Sequence, residues 1–265
     1  MIKSFVKIEK KKNGVFELVF NNPTSRNALN KIMLKEISES LDELSLNKDL
    51  RILIITGEGK AFSAGADLDW MKAAKDLSIE DNKKDALYFS EMLKKLDEFS
   101  KPTLALINGH AFGGGLGIIS ACDFALAEIN AKFCFSEVRL GLIPAMIGPY
   151  ILRSIGLANS RKLFLSGKIF DTKYALKINF IDEALPLSEL IDKKEELIKD
   201  LLMGAPKAQE EIKKFLFNIS NKDINNNLIN ETSETIANIR TSFEGQEGIE
   251  AFLNKRKPSW YNDNS

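Results

Sequence analysis

Residues 108–117, NGHAFGGGLG, place three successive glycines directly before an apolar run of the chain. Glycine inside a helix costs about 1 kcal/mol relative to alanine, so three together require a backbone reason. A glycine lets its backbone N–H approach another group closely, and the first N–H groups of a helix have no partner within that helix. The segment therefore predicts a turn that opens a helix and presents backbone amides to a ligand.

A second glycine-containing turn, AFSAGAD at 61–67, follows the apolar stretch RILIITG at 51–57, as the first turn follows TLALIN at 103–108. Both apolar stretches are typical of buried strands. Two such turns facing each other would donate two N–H groups to one oxygen, which makes an oxyanion hole. The alternative is that both turns only allow tight packing of helix on strand. A P-loop is disfavoured, because GGGLG lacks the Gly-Lys-Ser/Thr ending.

The patterns around these turns predict an α/β layered fold. A hairpin is predicted around KKNG (11–14). Helical spacing of apolar residues extends over 30–47, at Ile32, Leu34, Ile37, Leu41 and Leu44, and a second helix is predicted over 85–100. Two short strands, DFALAE and KFCFSE, follow the opening glycines, and the chain beyond residue 145 is mostly helical. In such folds, ligand sites lie where strands end in glycine-rich turns.

Composition excludes several classes of function. The 265 residues include 37 basic and 37 acidic ones, so no charge excess indicates nucleic acid or a membrane surface as partner. The N-terminal segment has no signal-peptide pattern, and no uncharged apolar stretch reaches the roughly 18 residues of a membrane span; a cytoplasmic location is expected. One histidine, His110, and two cysteines, Cys122 and Cys134, are too few for a zinc site. We expect His110 to pack locally and both cysteines to be buried and reduced.

Six motifs, RNALN, KAFSAGADL, INGHAFGGGLG, CDFALA, FSEVRLGLIP and FLNKRKPSW, occur in the order found in the enoyl-CoA hydratase/isomerase (crotonase) family. The chain resembles that family from about residue 15 to 260. The resemblance implies a spiral of repeated ββα units over residues 1–200. It also implies a helical region over 201–265 that assembles trimers, often paired as hexamers. An acyl-CoA substrate is implied, with no further cofactor and no metal.

Carried onto this sequence, the resemblance makes the backbone N–H groups of Ala66 and Gly114 the oxyanion donors. Lys255 would reach a phosphate of CoA, on its own or a neighbouring subunit; a solvated helix end is the alternative for its KRK motif. The remaining residues along the CoA moiety would be Arg26, Ala28, Ala64, Asp67 and Leu68.

Family hydratases use two glutamates, of which one falls at Glu137. Its apolar neighbours in FCFSEV predict a pKa raised by desolvation, which suits proton transfer near neutral pH. The second glutamate is replaced by Gly117, and we expect the space it leaves to accept a branch or a carboxylate of the substrate. Arg139 would share a strand face with Glu137. It would tune Glu137 or meet a substrate carboxylate, unless it is an ordinary surface arginine.

The leading hypothesis is therefore an enoyl-CoA hydratase, a lyase, most similar to the bacterial methylglutaconyl-CoA and carboxygeranoyl-CoA hydratases. A Δ3,Δ2-enoyl-CoA isomerase that uses Glu137 alone is the main alternative. A catalytically silent CoA-binding scaffold, a decarboxylase and a thioester hydrolase stay open, as does the acyl chain.

Overall fold

The computed structural model describes residues 4–220 and 222–261. Its strands, in chain order, are β1 (Val6–Lys10), β2 (Val15–Phe20), β3 (Ile52–Gly57), β4 (Ala61–Ser63), β5 (Thr103–Ile107), β6 (His110–Phe112), β7 (Phe124–Glu128), β8 (Lys132–Cys134), β9 (Phe170–Asp171) and β10 (Glu183–Leu185). Its α-helices are α1 (Lys31–Leu46), α2 (Leu68–Ala73), α3 (Ile79–Asp97), α4 (Gly114–Ser120), α5 (Gly148–Ser166), α6 (Thr172–Lys177), α7 (Leu187–Met203), α8 (Pro206–Ile219), α9 (Asn226–Thr241) and α10 (Phe243–Leu253).

The strands form two sheets, with the orders β1-β2-β3-β5-β7-β10 and β4-β6-β8-β9. The hairpin β1-β2 and the pair β8-β9 are antiparallel, and all other pairs are parallel. In each of the pairs β3-β4, β5-β6 and β7-β8, the first strand joins the larger sheet and the second the smaller one, before the chain turns helical. This alternation confirms the predicted crotonase-like spiral of ββα units and the α/β class.

The predicted hairpin, the strands at 51–57 and 103–108 and the helical C-terminal region are confirmed. Two predicted helices differ in detail. In α1 the buried face contains Met33, whereas Ile32 is 58% exposed. Helix α3 begins at Ile79, six residues before the predicted start, because the Ser78 side chain caps it by accepting a hydrogen bond from the Asp81 amide.

A cluster of phenylalanines packs behind β8 and fixes its position. Phe133 and Phe135 are buried, and both rings contact Phe170 and Phe180 with centroids 5.5–6.3 Å apart. Aromatic pairs in such edge and offset arrangements add to the free energy gained by burial. This packing holds the end of β8, from which the chain continues to Glu137.

His110 and the cysteines have local roles. His110 Nδ1 accepts a hydrogen bond from the Lys132 amide at 3.1 Å, and its ring stacks on Phe112, which confirms the predicted local packing. Both cysteines are free thiols; Cys134 is buried as predicted, whereas Cys122 is half-buried. Over the described ranges, no helix combines the length and the apolar character that crossing a bilayer requires.

Candidate active site

The two glycine turns meet, as the sequence predicted. Gly65 follows β4 and Gly113 follows β6, and these strands are neighbours in the smaller sheet. Both glycines have positive φ angles, of +90° and +48°. A Cβ on Gly65 would lie 2.9 Å from the carbonyl oxygen of Phe112 and 3.6 Å from the Gly113 Cα. Gly65 therefore needs glycine for conformation and for close approach, and Gly113 needs it for its conformation.

A buried polar network, which the sequence did not reveal, holds the first turn. Ser63 Oγ donates to the carbonyl oxygen of Asn27 at 2.9 Å and accepts a hydrogen bond from the Gly65 amide at 3.2 Å. The Asn27 side chain donates to the carbonyl oxygen of Ala61 at 2.8 Å. Asn27 itself has a positive φ angle of 54° and is fully buried. The only sequence signal was the RNALN motif, and the partners lie more than 30 residues away.

Two backbone amides next to these turns are available to a ligand. Within residues 4–220 and 222–261, neither the Ala66 N–H nor the Gly114 N–H donates a hydrogen bond. Gly114 is the first residue of α4, where helix amides have no internal partner. The preceding Gly113 amide donates to the carbonyl oxygen of Cys134 at 2.9 Å, which ties the turn to β8.

A cavity of about 890 Å³ opens over the two turns, within the usual range for small-molecule sites. Its inner wall is apolar and includes the buried side chains of Leu29, Leu34, Phe89 and Ile147. The sequence-predicted site residues that line it are Arg26, Ala28, Ala64, Ala66, Asp67, Leu68, Gly114 and Glu137. Gly117, Arg139 and Lys255 lie outside the lining.

Glu137 brings a carboxylate to the glycine turns. Its Oε1 lies 3.4 Å from the position that a Cβ on Gly113 would take. Its Oε2 is buried and has no hydrogen-bond partner among the described residues. Burial raises the pKa of Glu137, which confirms the direction predicted from its neighbours. A carboxylate of this kind can act as a general acid or base.

The prediction that Arg139 shares a strand face with Glu137 is wrong. Strand β8 ends at Cys134, and Glu137 opens a 3-10 helix, Glu137–Leu140. With three residues per turn, side chains two positions apart point to different sides. Arg139 is exposed and packs by Gly167, where a Cβ would lie 3.2 Å from its Nε.

The expected free space at Gly117 is also absent, because Ile147 fills it. A Cβ on Gly117 would lie 2.9 Å from the Ile147 Cβ and closer still to its Cγ2. Both residues are buried. Ile147 precedes α5, and this packing of α5 on α4 was not visible in the sequence. The prediction that a branch or carboxylate of the substrate occupies this space is therefore wrong, because Ile147 already fills it.

This packing predicts how a pair of substitutions should behave. Gly117→Ala is expected to destabilise the protein by about 1–3 kcal/mol, because the new methyl group overlaps Ile147. Ile147→Ala alone should destabilise by about 2–5 kcal/mol, since it leaves a cavity. Denaturant unfolding of both single variants and the double variant measures the coupling. The double variant should be more stable than the sum of the single effects predicts; strict additivity would contradict the contact.

The outer wall of the cavity is held by a charged cluster that sequence reasoning missed. Asp67 caps α2 by accepting hydrogen bonds from two backbone amides of that helix, so this segment is fixed next to Ala66. Asp85 of α3 accepts hydrogen bonds from Trp70 Nε1 at 3.2 Å and Lys31 Nζ at 2.8 Å. The Lys31 hydrogen bond lowers the pKa of Asp85. The cluster ties α1, α2 and α3 together over the cavity.

No group of three or more His, Cys, Asp or Glu side chains able to hold a metal ion occurs in the described part of the chain.

Comparison with known proteins identifies the family. The profile described as enoyl-CoA hydratase/isomerase matches residues 10–263. The chain belongs to the enoyl-CoA hydratase/isomerase family. The solved structure of an enoyl-CoA hydratase from Shewanella pealeana is 38% identical, with a TM-score of 0.93 and coverage of 97% of this chain and 96% of that one.

Two further relatives are similar to this chain over comparable lengths. The structure of a putative enoyl-CoA hydratase/isomerase (crotonase) from Legionella pneumophila is 37% identical, with a TM-score of 0.91, and covers 97% of this chain and 99% of that one. The probable enoyl-CoA hydratase of Bacillus subtilis is 32% identical over 245 residues, which are 92% of this chain and 93% of the relative. The similarity thus extends over nearly the whole chain and includes both glycine turns.

Proposed function

We propose that this crotonase-family protein is an enoyl-CoA hydratase, which adds water across the double bond of an α,β-unsaturated acyl-CoA. One observation carries the proposal: among the described residues, a buried carboxylate oxygen of Glu137 without a hydrogen-bond partner lies beside two glycine turns whose Ala66 and Gly114 amides donate no hydrogen bond. The names of the relatives, which are mostly hydratases, support the same reaction.

In this proposal the N–H groups of Ala66 and Gly114 donate to the thioester oxygen. Polarising that carbonyl makes the β-carbon electrophilic and stabilises the enolate that forms when water attacks. Preorganised donors of this type contribute most where charge develops in the transition state. Glu137 takes the proton from the attacking water and supplies the proton that the α-carbon receives.

The CoA moiety is proposed to lie along the cavity mouth, against Ala28, Ala64, Asp67 and Leu68 and the exposed Arg26. Lys255 is exposed and outside the cavity of its own chain. We assign it to the CoA phosphates of a neighbouring subunit.

Assigning Lys255 to a neighbouring subunit requires an oligomer. We propose a homotrimer, or a hexamer of two trimers, assembled through residues 201–265. Helix α9 in this region buries none of its residues within the single chain, and its Ile229 and Ile236 are half exposed. Sedimentation of the purified protein tests the assembly.

The acyl group is proposed to be apolar where it meets the inner wall. The basic residues in the described lining are Arg26 and Lys72, both exposed, and the inner wall has no cation for a substrate carboxylate. A branched, carboxylated substrate was the expectation from the sequence motifs, and such substrates are therefore included in the assay.

A Δ3,Δ2-enoyl-CoA isomerase is the second candidate. The observation that favours it is that Gly117 replaces the second family glutamate, and Ile147 fills the space beside Gly117. A single carboxylate suffices to move a proton between two carbons of an enolate.

A product assay distinguishes the candidates. Crotonyl-CoA, longer unbranched enoyl-CoAs, 3-methylglutaconyl-CoA and but-3-enoyl-CoA are incubated separately with the protein, and the products are resolved by mass. We expect 3-hydroxyacyl-CoA from crotonyl-CoA or its longer homologues. Formation of crotonyl-CoA from but-3-enoyl-CoA without any hydroxyacyl product would establish the isomerase, and no turnover of any substrate would indicate a scaffold.

The pKa of Glu137 predicts the acid side of the pH profile. The carboxylate must be ionised to accept a proton from water, so kcat/KM for hydration should fall as pH decreases through its pKa. Burial raises that pKa above 4.5. Initial rates between pH 4 and pH 8 measure this decrease in kcat/KM. A rate that is constant down to pH 4 in a protein that stays folded would remove Glu137 from this role.

A further inference from the structure

The serine before Glu137 has a hydroxyl group that the fold does not use. Ser136 occupies the N-cap position of the 3-10 helix Glu137–Leu140, but its side chain makes no capping hydrogen bond. Serine at this position usually accepts one from a backbone amide. In the described part of the chain, the Ser136 hydroxyl makes no other hydrogen bond, and the residue lines the cavity.

The free hydroxyl lies on the same side of the glycine turn as the Glu137 carboxylate. From the position of a Cβ on Gly113, Ser136 Oγ is 3.9 Å away and Glu137 Oε1 is 3.4 Å away. The second carboxylate oxygen, Oε2, also has no hydrogen-bond partner among the residues that the structure describes. Ser136 Oγ and Glu137 Oε1 thus both lie within 4 Å of one position beside Gly113.

The position of the second family glutamate, Gly117, offers no polar group in place of the hydroxyl. Gly117 has no side chain, and the apolar Ile147 covers it. A water molecule that attacks a carbon must aim a lone pair at it, which leaves two O–H groups that need acceptors. Glu137 accepts one of them, and a serine hydroxyl has two lone pairs for the other.

We propose that Ser136 is a water-positioning residue, whose Oγ accepts the second O–H of the water molecule that Glu137 deprotonates. This inference rests on the proposed hydratase function. It explains how Glu137, without the second family glutamate, directs water at the β-carbon.

The addition balances with these groups alone. The water oxygen forms a bond to the β-carbon, its proton goes to Glu137, and the π electrons move onto the thioester oxygen as an enolate. Glu137 then returns the proton to the α-carbon, the carbonyl re-forms, and the carboxylate is ionised again. Ser136 gains and loses no proton, so its contribution is confined to the step that uses water.

Because Ser136 contributes only to the step that uses water, a reaction without that step provides the test. Ser136→Ala removes the acceptor, and Ser136→Thr keeps the hydroxyl and serves as the matched control. For each variant, kcat and KM for crotonyl-CoA hydration are measured, together with exchange of the α-protons of butyryl-CoA in D₂O, a reaction that needs Glu137 and the amides but no attacking water. Ser136→Ala should lower kcat by about 10- to 100-fold with KM and the exchange rate little changed, and Ser136→Thr should retain most of kcat.

Two results would overturn the proposal. Hydration by Ser136→Ala at the wild-type kcat would show that the hydroxyl does not hold the water, while the hydratase function would stand. Loss of α-proton exchange together with hydration in Ser136→Ala would show that the residue acts through the structure of the site. A wild-type protein that exchanges α-protons and isomerises but never hydrates would overturn the hydratase proposal itself, and the positioning role with it.

Discussion

Glu137→Gln should lower kcat for enoyl-CoA hydration by about 10²–10⁴-fold, the usual contribution of a general acid–base group. The amide keeps the shape of the side chain but neither accepts a proton from water nor delivers one to the α-carbon. Among the described residues, Glu137 Oε2 is buried without a hydrogen-bond partner, and Glu137 Oε1 is the carboxylate oxygen nearest to the position of a Cβ on Gly113. Steady-state kinetics with crotonyl-CoA measure the loss.

Stability provides the control for this variant. Burial raises the pKa of Glu137, so the fold disfavours the ionised form. The stability gained from the protonated form is present at low pH and is lost as pH rises through the folded-state pKa. Glu137→Gln carries no charge and should therefore unfold, at pH 7, at a temperature equal to or above that of the wild type. Turnover near the wild-type rate by this folded variant would exclude Glu137 from proton transfer.

Gly114→Pro should lower kcat by about 10²–10³-fold, equivalent to about 2.7–4 kcal/mol for one oxyanion donor. Proline has no backbone N–H, and Gly114 is the first residue of α4, where proline is tolerated in helices. The substitution thus removes the proposed donor with little effect on the helix itself.

Gly114→Ala is the matched control, since it keeps the N–H and adds only a methyl group. That methyl group would lie 3.0 Å from Phe89 Cε1 and 3.1 Å from Leu29 Cδ1, so both neighbours must shift slightly. We expect the alanine variant to retain most of kcat and the proline variant to lose it, with similar melting temperatures. Equal activity of the two folded variants would contradict the assignment of the Gly114 amide.

The sequence predicted the features that are determined by residues close to one another in the chain. The glycines at 65 and 113 mark turns of positive φ, and the apolar stretches upstream of these turns identify β3 and β5. The raised pKa of Glu137 follows from the phenylalanines within four residues of it. The family motifs extend this reasoning to the ββα spiral.

The features that the sequence did not predict depend on packing between distant segments. Ile147 fills the space at Gly117 because the start of α5 packs on α4, 30 residues away in the chain. The hydrogen bonds from Ser63 to Asn27 and from Lys31 to Asp85 also join separate elements. Arg139 was misplaced because β8 ends at Cys134 and a 3-10 helix begins at Glu137.

Exchange of the α-protons of butyryl-CoA in D₂O, followed by mass, tests the central claim most directly. This saturated thioester can be neither hydrated nor isomerised, so exchange reports only on enolate formation by Glu137 and the amides of Ala66 and Gly114. The wild-type protein should incorporate deuterium at the α-carbon, and Glu137→Gln and Gly114→Pro should do so at rates lower by about two orders of magnitude or more. A wild type without exchange, or equal exchange in all three proteins, would contradict the account.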